Sequence, residues 1–191
     1  INHPVRDRIP ITIAALGPKN VELTAEIAEG WQPVFFLPEK VDDVWGESLR
    51  SGYAKRDPAL GPLDIMVSAP LAIGDDADGR LSWAKPQLAL YIGGMGARGQ
   101  NFYHNLATRY GFAEVADHIQ DLYLAGKKQE AIEAVPDELV RNVSLVGPRG
   151  YVKERLAAYA EAGVTTLLLQ PLSGDRHETV RYVEELRGLL P

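Results

Sequence analysis

Short apolar runs divide this chain into candidate strands. They are continuous runs rather than alternations of apolar and polar residues, and such runs are typical of parallel strands buried on both faces. On this criterion we predict strands over residues 11–16, 33–37, 63–71 and 164–171. Because three of these runs lead into helical patterns, the chain is predicted to be an α/β protein with a parallel sheet.

The segment after the first run has helical periodicity. Its apolar positions, which share one face, are Val21, Leu23, Ile27 and Ala28. Gly30 stands where a C-terminal cap is expected. A second helical pattern covers residues 38–56. Both helices are predicted to pack on the outside of the sheet.

Two more helical patterns flank the last predicted strand. Residues 151–162 form the first, which Gly163 ends. In the second, Asp175 and Glu178 have the spacing of a capping box. Its predicted buried face consists of Val180, Val183 and Leu186.

The connection between the third and fourth predicted strands is unusually long. A parallel crossover with its helix needs only about 10–30 residues. The surplus, residues 75–146, contains helical patterns such as residues 112–125. We therefore expect one domain over residues 1–191 that carries a helical insertion, or lid, over residues 75–146.

The turn after the first run is the strongest candidate site. It contains Ala15, Leu16, Gly17, Pro18, Lys19 and Asn20. Small residues let a ligand approach the backbone, Gly17 can adopt a conformation closed to other residues, and Pro18 suits the first turn of a helix. The N–H groups of Leu16, Gly17, Lys19 and Asn20 would then bind a phosphate group, with the helix dipole behind them. The alternative is an ordinary strand-to-helix turn.

Two other glycine-containing segments are weaker candidates. Residues 93–99 follow a helical pattern rather than a strand, so we interpret them as a mobile turn of the insertion and not as a nucleotide loop. Residues 147–150 have a composition similar to the first turn and also precede a helix. Since no strong strand precedes them, a plain helix start is favoured and an anion site is the alternative.

Composition excludes several classes of function. The net charge is −6 and the basic residues are scattered, which argues against nucleic acid and anionic membranes as partners. No apolar run is long enough to span a bilayer. Cysteine is absent and the four histidines are dispersed, so we expect no metal site and a cytoplasmic protein. His104 is interpreted as a surface or packing residue, with a substrate contact as the alternative.

Three segments carry a family resemblance, which extends in order over nearly the whole chain. They are "IPITIAALGPKNVELTAEIAEGWQPVFF", "LALYIGGMGARGQNFYHNLATRYGF" and "LVGPRGYVKERLAAYAEAGVTTLLL". This sequence resembles the C-terminal half of the luciferase-like oxidoreductases, and within them the branch that depends on coenzyme F420, a deazaflavin hydride carrier. The resemblance implies a (β/α)8 TIM barrel, of which this chain would supply the C-terminal four β/α units with the insertion before the last strand. It also implies that backbone amides after the strand ending in Ala15-Leu16-Gly17 bind the cofactor phosphate.

The resemblance further implies an oxidoreductase that transfers a hydride between coenzyme F420 and a small organic substrate. The catalytic residues stay unassigned, since the family places them in an N-terminal half that this sequence does not contain. An FMN-dependent luciferase-like monooxygenase and a non-catalytic flavin-binding protein are the alternatives. We expect the chain to begin partway through a longer protein. With two open sheet edges, it is expected to form a homo-oligomer.

Overall fold

The structure is a computed structural model that describes His3, Val5 and residues 8–190. Its strands form a parallel sheet in which β3 is the longest and central element. The strands are β1 (Thr12–Ile13), β2 (Gly30–Trp31), β3 (Asp64–Ile73), β4 (Leu145–Gly147) and β5 (Thr166–Pro171). The predicted α/β class and the parallel arrangement are confirmed.

The pairing register places three strands against β3. Its first residues, Asp64 and Ile65, pair with β2, which in turn pairs with β1. The middle of β3 pairs with β5 from Met66 to Leu71, and its end pairs with β4. The third and fourth predicted strands are therefore parallel neighbours in the sheet, although β4 lies between them in the sequence.

The second strand was predicted in the wrong place. It comprises Gly30–Trp31, and residues 33–37 form no strand. The ladder between β1 and this segment ends with Gln32, whose N–H donates to Ile13 O at 3.0 Å. Pro33 has no N–H to continue the ladder, and Phe35 has a φ of 50°, which is incompatible with extended backbone. The apolar residues 33–37 therefore follow β2 in the sequence and are not part of it.

Strand β4 was not predicted. Its three residues begin two residues after a helix, and they are buried because they pair with the end of β3. A run of three apolar residues is too short to be distinguished from the end of a buried helix. The described chain thus has a fifth strand beyond the four predicted.

Helices cover the sheet and fill the long connection between β3 and β4. They are α1 (Pro18–Ile27), α2 (Glu47–Tyr53), α3 (Leu81–Gly94), α4 (Phe102–Arg109), α5 (Ala113–Leu124), α6 (Lys128–Glu133), α7 (Asp137–Asn142), α8 (Arg149–Glu161) and α9 (Arg176–Arg187). Short 3-10 turns comprise Pro38–Lys40, Pro58–Leu60 and Ala77–Arg80, and a π-helical turn comprises Asp42–Gly46. No helix within the described ranges is long and apolar enough to cross a membrane.

Two details of the first helix differ from the prediction. Helix α1 ends at Ile27 with Ala28 as its C-cap, whereas Gly30 belongs to β2. Leu23 and Ile27 are half exposed, and the buried face includes Thr24 and Ala25 instead. The face that packs inward is thus rotated relative to the most apolar positions, because α2 packs against α1 and brings Gly52 close to the α1 backbone.

The start of α9 and its buried face were predicted only in part. In α9, Asp175 caps the helix by accepting hydrogen bonds from the N–H groups of His177 and Glu178. The predicted capping box is incomplete, because the Asp175 N–H donates to Ser173 Oγ rather than to Glu178. Val180 is half exposed, however, and Tyr182 is buried in its place. The large aromatic side chain has more apolar surface to remove from water, so it determines which face of α9 packs inward.

The segment of residues 93–99 is only partly a turn. Gly93 and Gly94 are the last residues of α3, which packs against α5. A Cβ on Gly93 would lie 2.5 Å from Tyr123 Cβ, so the absence of side chains permits the two helices to approach closely. The interpretation as a loop is wrong for these two residues. That residues 75–146 form a lid stays a prediction.

Candidate functional site: a cleft at the carboxyl ends of the strands

A cleft of about 450 Å³ opens where β1 and β2 end. Its wall is completed by residues from β3, β5, α3 and α4. The lining residues are Ala14, Ala15, Leu16, Gly17, Asn20, Gln32, Pro33, Val34, Ser68, Gln87, Tyr91, Phe102, Tyr103 and Gln170. This volume lies in the range of small-molecule sites, and the carboxyl ends of parallel strands are where α/β folds bind ligands.

The N-terminus of α1 faces this cleft without a side-chain cap. Gly17 is the N-cap residue, and no acidic residue lies in the first turn. The N–H groups of Lys19 and Asn20 precede the first intrahelical bond, which Val21 N–H donates to Gly17 O at 3.0 Å. Outside helices and strands, no hydrogen bond of residues 8–190 uses the N–H of Leu16 or Gly17 as donor. Four donors are thus available to an anion.

Gly17 has an ordinary backbone conformation, contrary to the prediction. Its φ of −70° and ψ of 145° are accessible to any residue. A Cβ at this position would instead lie 3.0 Å from the ring of Phe102, the first residue of α4. The glycine is explained by this close approach of an aromatic side chain rather than by its backbone angles.

Two buried tryptophans bind the carbonyl side of the same turn. The indole N–H of Trp31 donates to Ala15 O at 2.9 Å, and that of Trp45 donates to Leu16 O at 3.0 Å. Both side chains are at most 1% exposed, and their rings pack edge to face at 5.2 Å. The turn is therefore fixed by hydrogen bonds from the core.

Tyrosine side chains from α3 and α4 form another part of the cleft wall. Phe35 packs edge to face on Tyr91 at 5.4 Å and on Tyr103 at 6.3 Å, and these two tyrosines contact each other at 4.7 Å. Burial, and then the neighbouring Tyr91, raises the pKa of the Tyr103 hydroxyl. Tyr103 is therefore a neutral hydrogen-bonding group at neutral pH.

Asn101 positions this wall. Its buried side chain caps α4 by accepting from the N–H groups of Tyr103 and His104, and it donates to the carbonyl oxygens of Tyr91 and Ile92 at the end of α3. One amide thus satisfies four backbone groups at two helix ends. The bonds fix the two tyrosines of the cleft relative to each other.

The described lining of the cleft carries no Asp, Glu, Lys, Arg or His. Its polar side chains are neutral, and three of them, Ser68, Gln87 and Gln170, also border a small apolar cavity that adjoins the cleft. Val140 and Val143 lie in the wall of this deeper cavity. The cleft therefore combines backbone donors at one end with a neutral, partly apolar floor.

The structure brings together four of the six predicted site residues. Ala15, Leu16, Gly17 and Asn20 line the cleft, whereas Pro18 and Lys19 are exposed residues of α1 outside the lining. Their assignment as cofactor-binding residues stays a prediction. Gln32 and Gln170 were missed. A polar residue at the end of an apolar run, as in "LLLQP", is the sequence signal that marks Gln170.

The remaining candidates lie elsewhere. His104 contacts Asp117 through Nε2 and Oδ1 at 2.9 Å and is not part of the cleft lining. Residues 147–150 begin with the last residue of β4, a strand of three residues that was not predicted. Within the ranges that the structure describes, no three His, Asp or Glu side chains are grouped so that they could hold a metal ion.

Solved structures share this fold. The coenzyme F420-dependent tetrahydromethanopterin reductase of Methanopyrus kandleri matches with a TM-score of 0.70 and 21% identity, over 92% of this chain and 49% of its own. An F420-dependent secondary alcohol dehydrogenase, solved with an F420-acetone adduct, matches with a TM-score of 0.67 and 14% identity, over 97% of this chain and 50% of its own. At these identities the likeness concerns the fold, and it confirms the α/β fold of the TIM-barrel type.

A sequence relative is more similar. A protein of Mycobacterium tuberculosis, whose name describes it as a coenzyme F420-dependent oxidoreductase, is 39% identical over 178 residues. The match extends over 92% of this chain and 51% of the relative. The chain thus spans about half the length of the curated relative it matches. The similarity confirms the resemblance to the F420-dependent branch.

The family model described as luciferase-like monooxygenase matches residues 1–166, which is most of the chain. The chain belongs to the luciferase-like monooxygenase family.

Proposed function

We propose that this chain is part of a coenzyme F420-dependent oxidoreductase, and that the turn from Ala15 to Asn20 binds the phosphate group of the coenzyme. The names of the M. tuberculosis relative and of the two solved structures support the choice of coenzyme F420. The bound deazaflavin would supply the hydride chemistry, while the protein orients it and excludes water. The substrate would be a small organic molecule.

One observation carries this proposal: the uncapped N-terminus of α1 meets a cleft of ligand size. The N–H groups of Leu16, Gly17, Lys19 and Asn20 have no side-chain acceptor within the described chain. Such donors, with the positive end of the helix dipole behind them, are suited to a phosphate group. The residues present therefore fit the phosphate end of the coenzyme.

The rest of the cleft fits the organic part of such a molecule. Tyr91 and Tyr103 present aromatic surface, and Gln87 and Gln170 provide neutral donors and acceptors. With no charged side chain in the described lining, the cleft gives no ion pair that would hold the molecule in a competing orientation. The phosphate end is then the point at which orientation is fixed.

The larger organisation is part of the same proposal. The chain would supply the C-terminal part of a (β/α)8 barrel, with five strands in place of the four predicted. The helical connection before β4, residues 75–144, would be a lid over the cleft, whereas residues 145 and 146 of the predicted insertion belong to β4. Phe102 of this segment already approaches Gly17. The contact is consistent with a lid that closes on the bound phosphate.

Substitution of Gly17 tests the proposal. Aspartate is a favourable N-cap residue, and the exposed ring of Phe102 has to shift to admit its Cβ. Gly17→Asp should therefore leave α1 formed while its carboxylate takes the N–H groups and repels a phosphate. We expect coenzyme affinity to fall roughly ten- to several hundred-fold, since charge-assisted contacts are each worth about 1.5–3 kcal/mol. The measurement is a fluorescence titration with coenzyme F420 and, separately, with FMN.

Gly17→Asn is the matched control. It caps the helix with a neutral group of similar size, so its loss of affinity should be smaller than that of the aspartate variant. Lys19→Ala should have less effect than either, because it removes an exposed charge and leaves the amides. Parent-like binding of both cofactors by Gly17→Asp, or no binding of either cofactor by the parent chain, would overturn the proposed site. Tighter binding of FMN with O₂ consumption would favour the monooxygenase alternative.

A further inference from the structure

Trp31 and Trp45 contact the candidate phosphate site on its carbonyl side, from the buried core. Each is buried, yet each donates its single polar group to the backbone of the turn rather than to a neighbouring side chain. Trp31 lies on β2 and Trp45 lies in the π-helical turn before α2. Two separate parts of the fold therefore bind two consecutive carbonyl groups of one loop.

Because the peptide group is planar, these two bonds also fix the direction of the Leu16 and Gly17 N–H groups. In a planar trans peptide, the C=O of one residue and the N–H of the next point in opposite directions. The bond from Trp31 to Ala15 O therefore directs the Leu16 N–H away from the indole. The bond from Trp45 to Leu16 O does the same for the Gly17 N–H. Neither N–H has an acceptor among the described hydrogen bonds, and both residues line the cleft.

We propose that Trp31 and Trp45 are positioning residues of the phosphate site, which hold the Leu16 and Gly17 N–H groups toward the bound anion. This inference rests on the proposed function, because it assumes that the turn binds phosphate. Neither indole touches the anion. Their effect is to remove the freedom of two peptide groups to rotate, so that the donors are oriented before the anion binds.

The packing of the two rings supports this role. They contact each other edge to face at 5.2 Å, and the ring of Phe36 stacks on Trp45 at 6.0 Å. Neither indole can rotate without displacing the other. The carbonyl groups that they bind are therefore held by a rigid part of the core.

The test removes the indole N–H and keeps an aromatic ring. Trp45→Phe and Trp31→Phe are compared with Trp83→Phe, which changes the half-exposed third tryptophan of the chain, on α3. The probe is inorganic phosphate, followed by the amide signals of Leu16 and Gly17 in ¹⁵N–¹H NMR. We expect each core variant to weaken phosphate binding about three- to tenfold and to reduce the shift of these signals at saturation, whereas Trp83→Phe behaves as the parent.

The outcomes separate this inference from the proposed function. If the parent amides of Leu16 and Gly17 do not respond to phosphate, the proposed phosphate site is wrong and the inference falls with it. If they respond in the parent and equally in both core variants, the tryptophans only stabilise the fold and the inference alone is overturned. Should a phenylalanine variant fail to fold, benzothienylalanine at position 45 keeps the ring shape without the N–H and is tested in the same way.

Discussion

The hydroxyl of Tyr110 donates a hydrogen bond of 2.8 Å to Phe35 O, a residue whose φ is 50°. The same hydroxyl accepts a bond of 3.4 Å from Leu37 N–H. A left-handed conformation is uncommon for a residue with a bulky side chain and costs of order 1–3 kcal/mol. Tyr110 stabilises this conformation, and the Phe35 ring packs on two tyrosines of the cleft.

Tyr110→Phe should therefore lower the free energy of unfolding. The change leaves Phe35 O and Leu37 N–H without a partner in a buried region, at an expected cost of about 1–3 kcal/mol. Burial raises the pKa of the Tyr110 hydroxyl, so it stays protonated at neutral pH and can donate. Urea denaturation measures the effect. Tyr123→Phe is the control, because its hydroxyl makes no hydrogen bond within residues 8–190. Equal stability of the two variants would contradict the role of the bond.

Local sequence patterns located much of the fold. Three of the four apolar runs contain strands, and the spacing of Asp175 and Glu178 marked the start of α9 because capping depends on near neighbours in sequence. The second strand was misplaced, because the change in direction at Phe35 depends on Tyr110, a residue 75 positions away. Pro33, which has no N–H for the ladder, was a local signal of the strand end, whereas the bond from Tyr110 is contained in no local pattern.

The turn of the candidate site was predictable from local sequence, whereas the bonds that hold it were not. The turn from Ala15 to Asn20 could be recognised from small residues and a proline at a helix start. The bonds from Trp31 and Trp45 to its carbonyl groups join residues 16 and 29 positions apart. In the sequence, a buried tryptophan at either position is indistinguishable from an ordinary core residue. Long-range hydrogen bonds are thus the part that required the structure.

Gly52 should be among the least replaceable residues of the fold. A Cβ at this position would lie 2.3 Å from Glu22 O and 2.6 Å from Ala25 Cβ, both of them in α1. Because these are backbone and core atoms, Gly52→Ala should separate α1 from α2 and destabilise the protein by about 1–3 kcal/mol.

Gly150→Ala is the matched control for this substitution. It also lies in a helix, α8, and a Cβ there meets nothing within 4 Å. Since alanine has the higher helix propensity, this variant should be about 0.5–1 kcal/mol more stable than the parent. Thermal unfolding measures both variants: the melting temperature should fall for Gly52→Ala and rise for Gly150→Ala. A change in the same direction for both would refute the packing argument.

Glu178 should contribute stability that depends on pH. Hydrogen bonds from Ser173 at 2.6 Å and Tyr182 at 2.9 Å, and then the guanidinium groups of Arg80 and Arg181, lower the pKa of its carboxyl group. A carboxyl group whose pKa is lower in the folded than in the unfolded state stabilises the protein above the unfolded pKa. That contribution is lost as the pH falls through the lower, folded value.

Glu178→Gln should consequently lower the melting temperature at neutral pH, and the difference from the parent should shrink as the pH is reduced below the ordinary range of a glutamate. Differential scanning calorimetry over a pH series measures both effects. Glu184→Gln, an exposed position on the same helix, is the control and should show little change at any pH. A deficit of Glu178→Gln that is constant with pH would mean that packing, and not charge, is responsible.

The exposed face of β5 leads to a prediction about association. Leu168 is 36% exposed and shares a face of the strand with Gln170, which lines the cleft. At the other edge of the sheet, Ile11 is 61% exposed beside β1. Apolar residues on open strands favour pairing with another chain, so we expect the 191-residue chain to sediment as a dimer or larger species.

Leu168→Lys should shift the chain toward the monomer, because a charge on this face would have to lose its water in the interface. Leu23→Lys places the same charge on the outer face of α1, where the leucine is 47% exposed, and should leave the sedimentation coefficient unchanged. A parent chain that sediments as a monomer over the whole concentration series would show that this face does not mediate self-association.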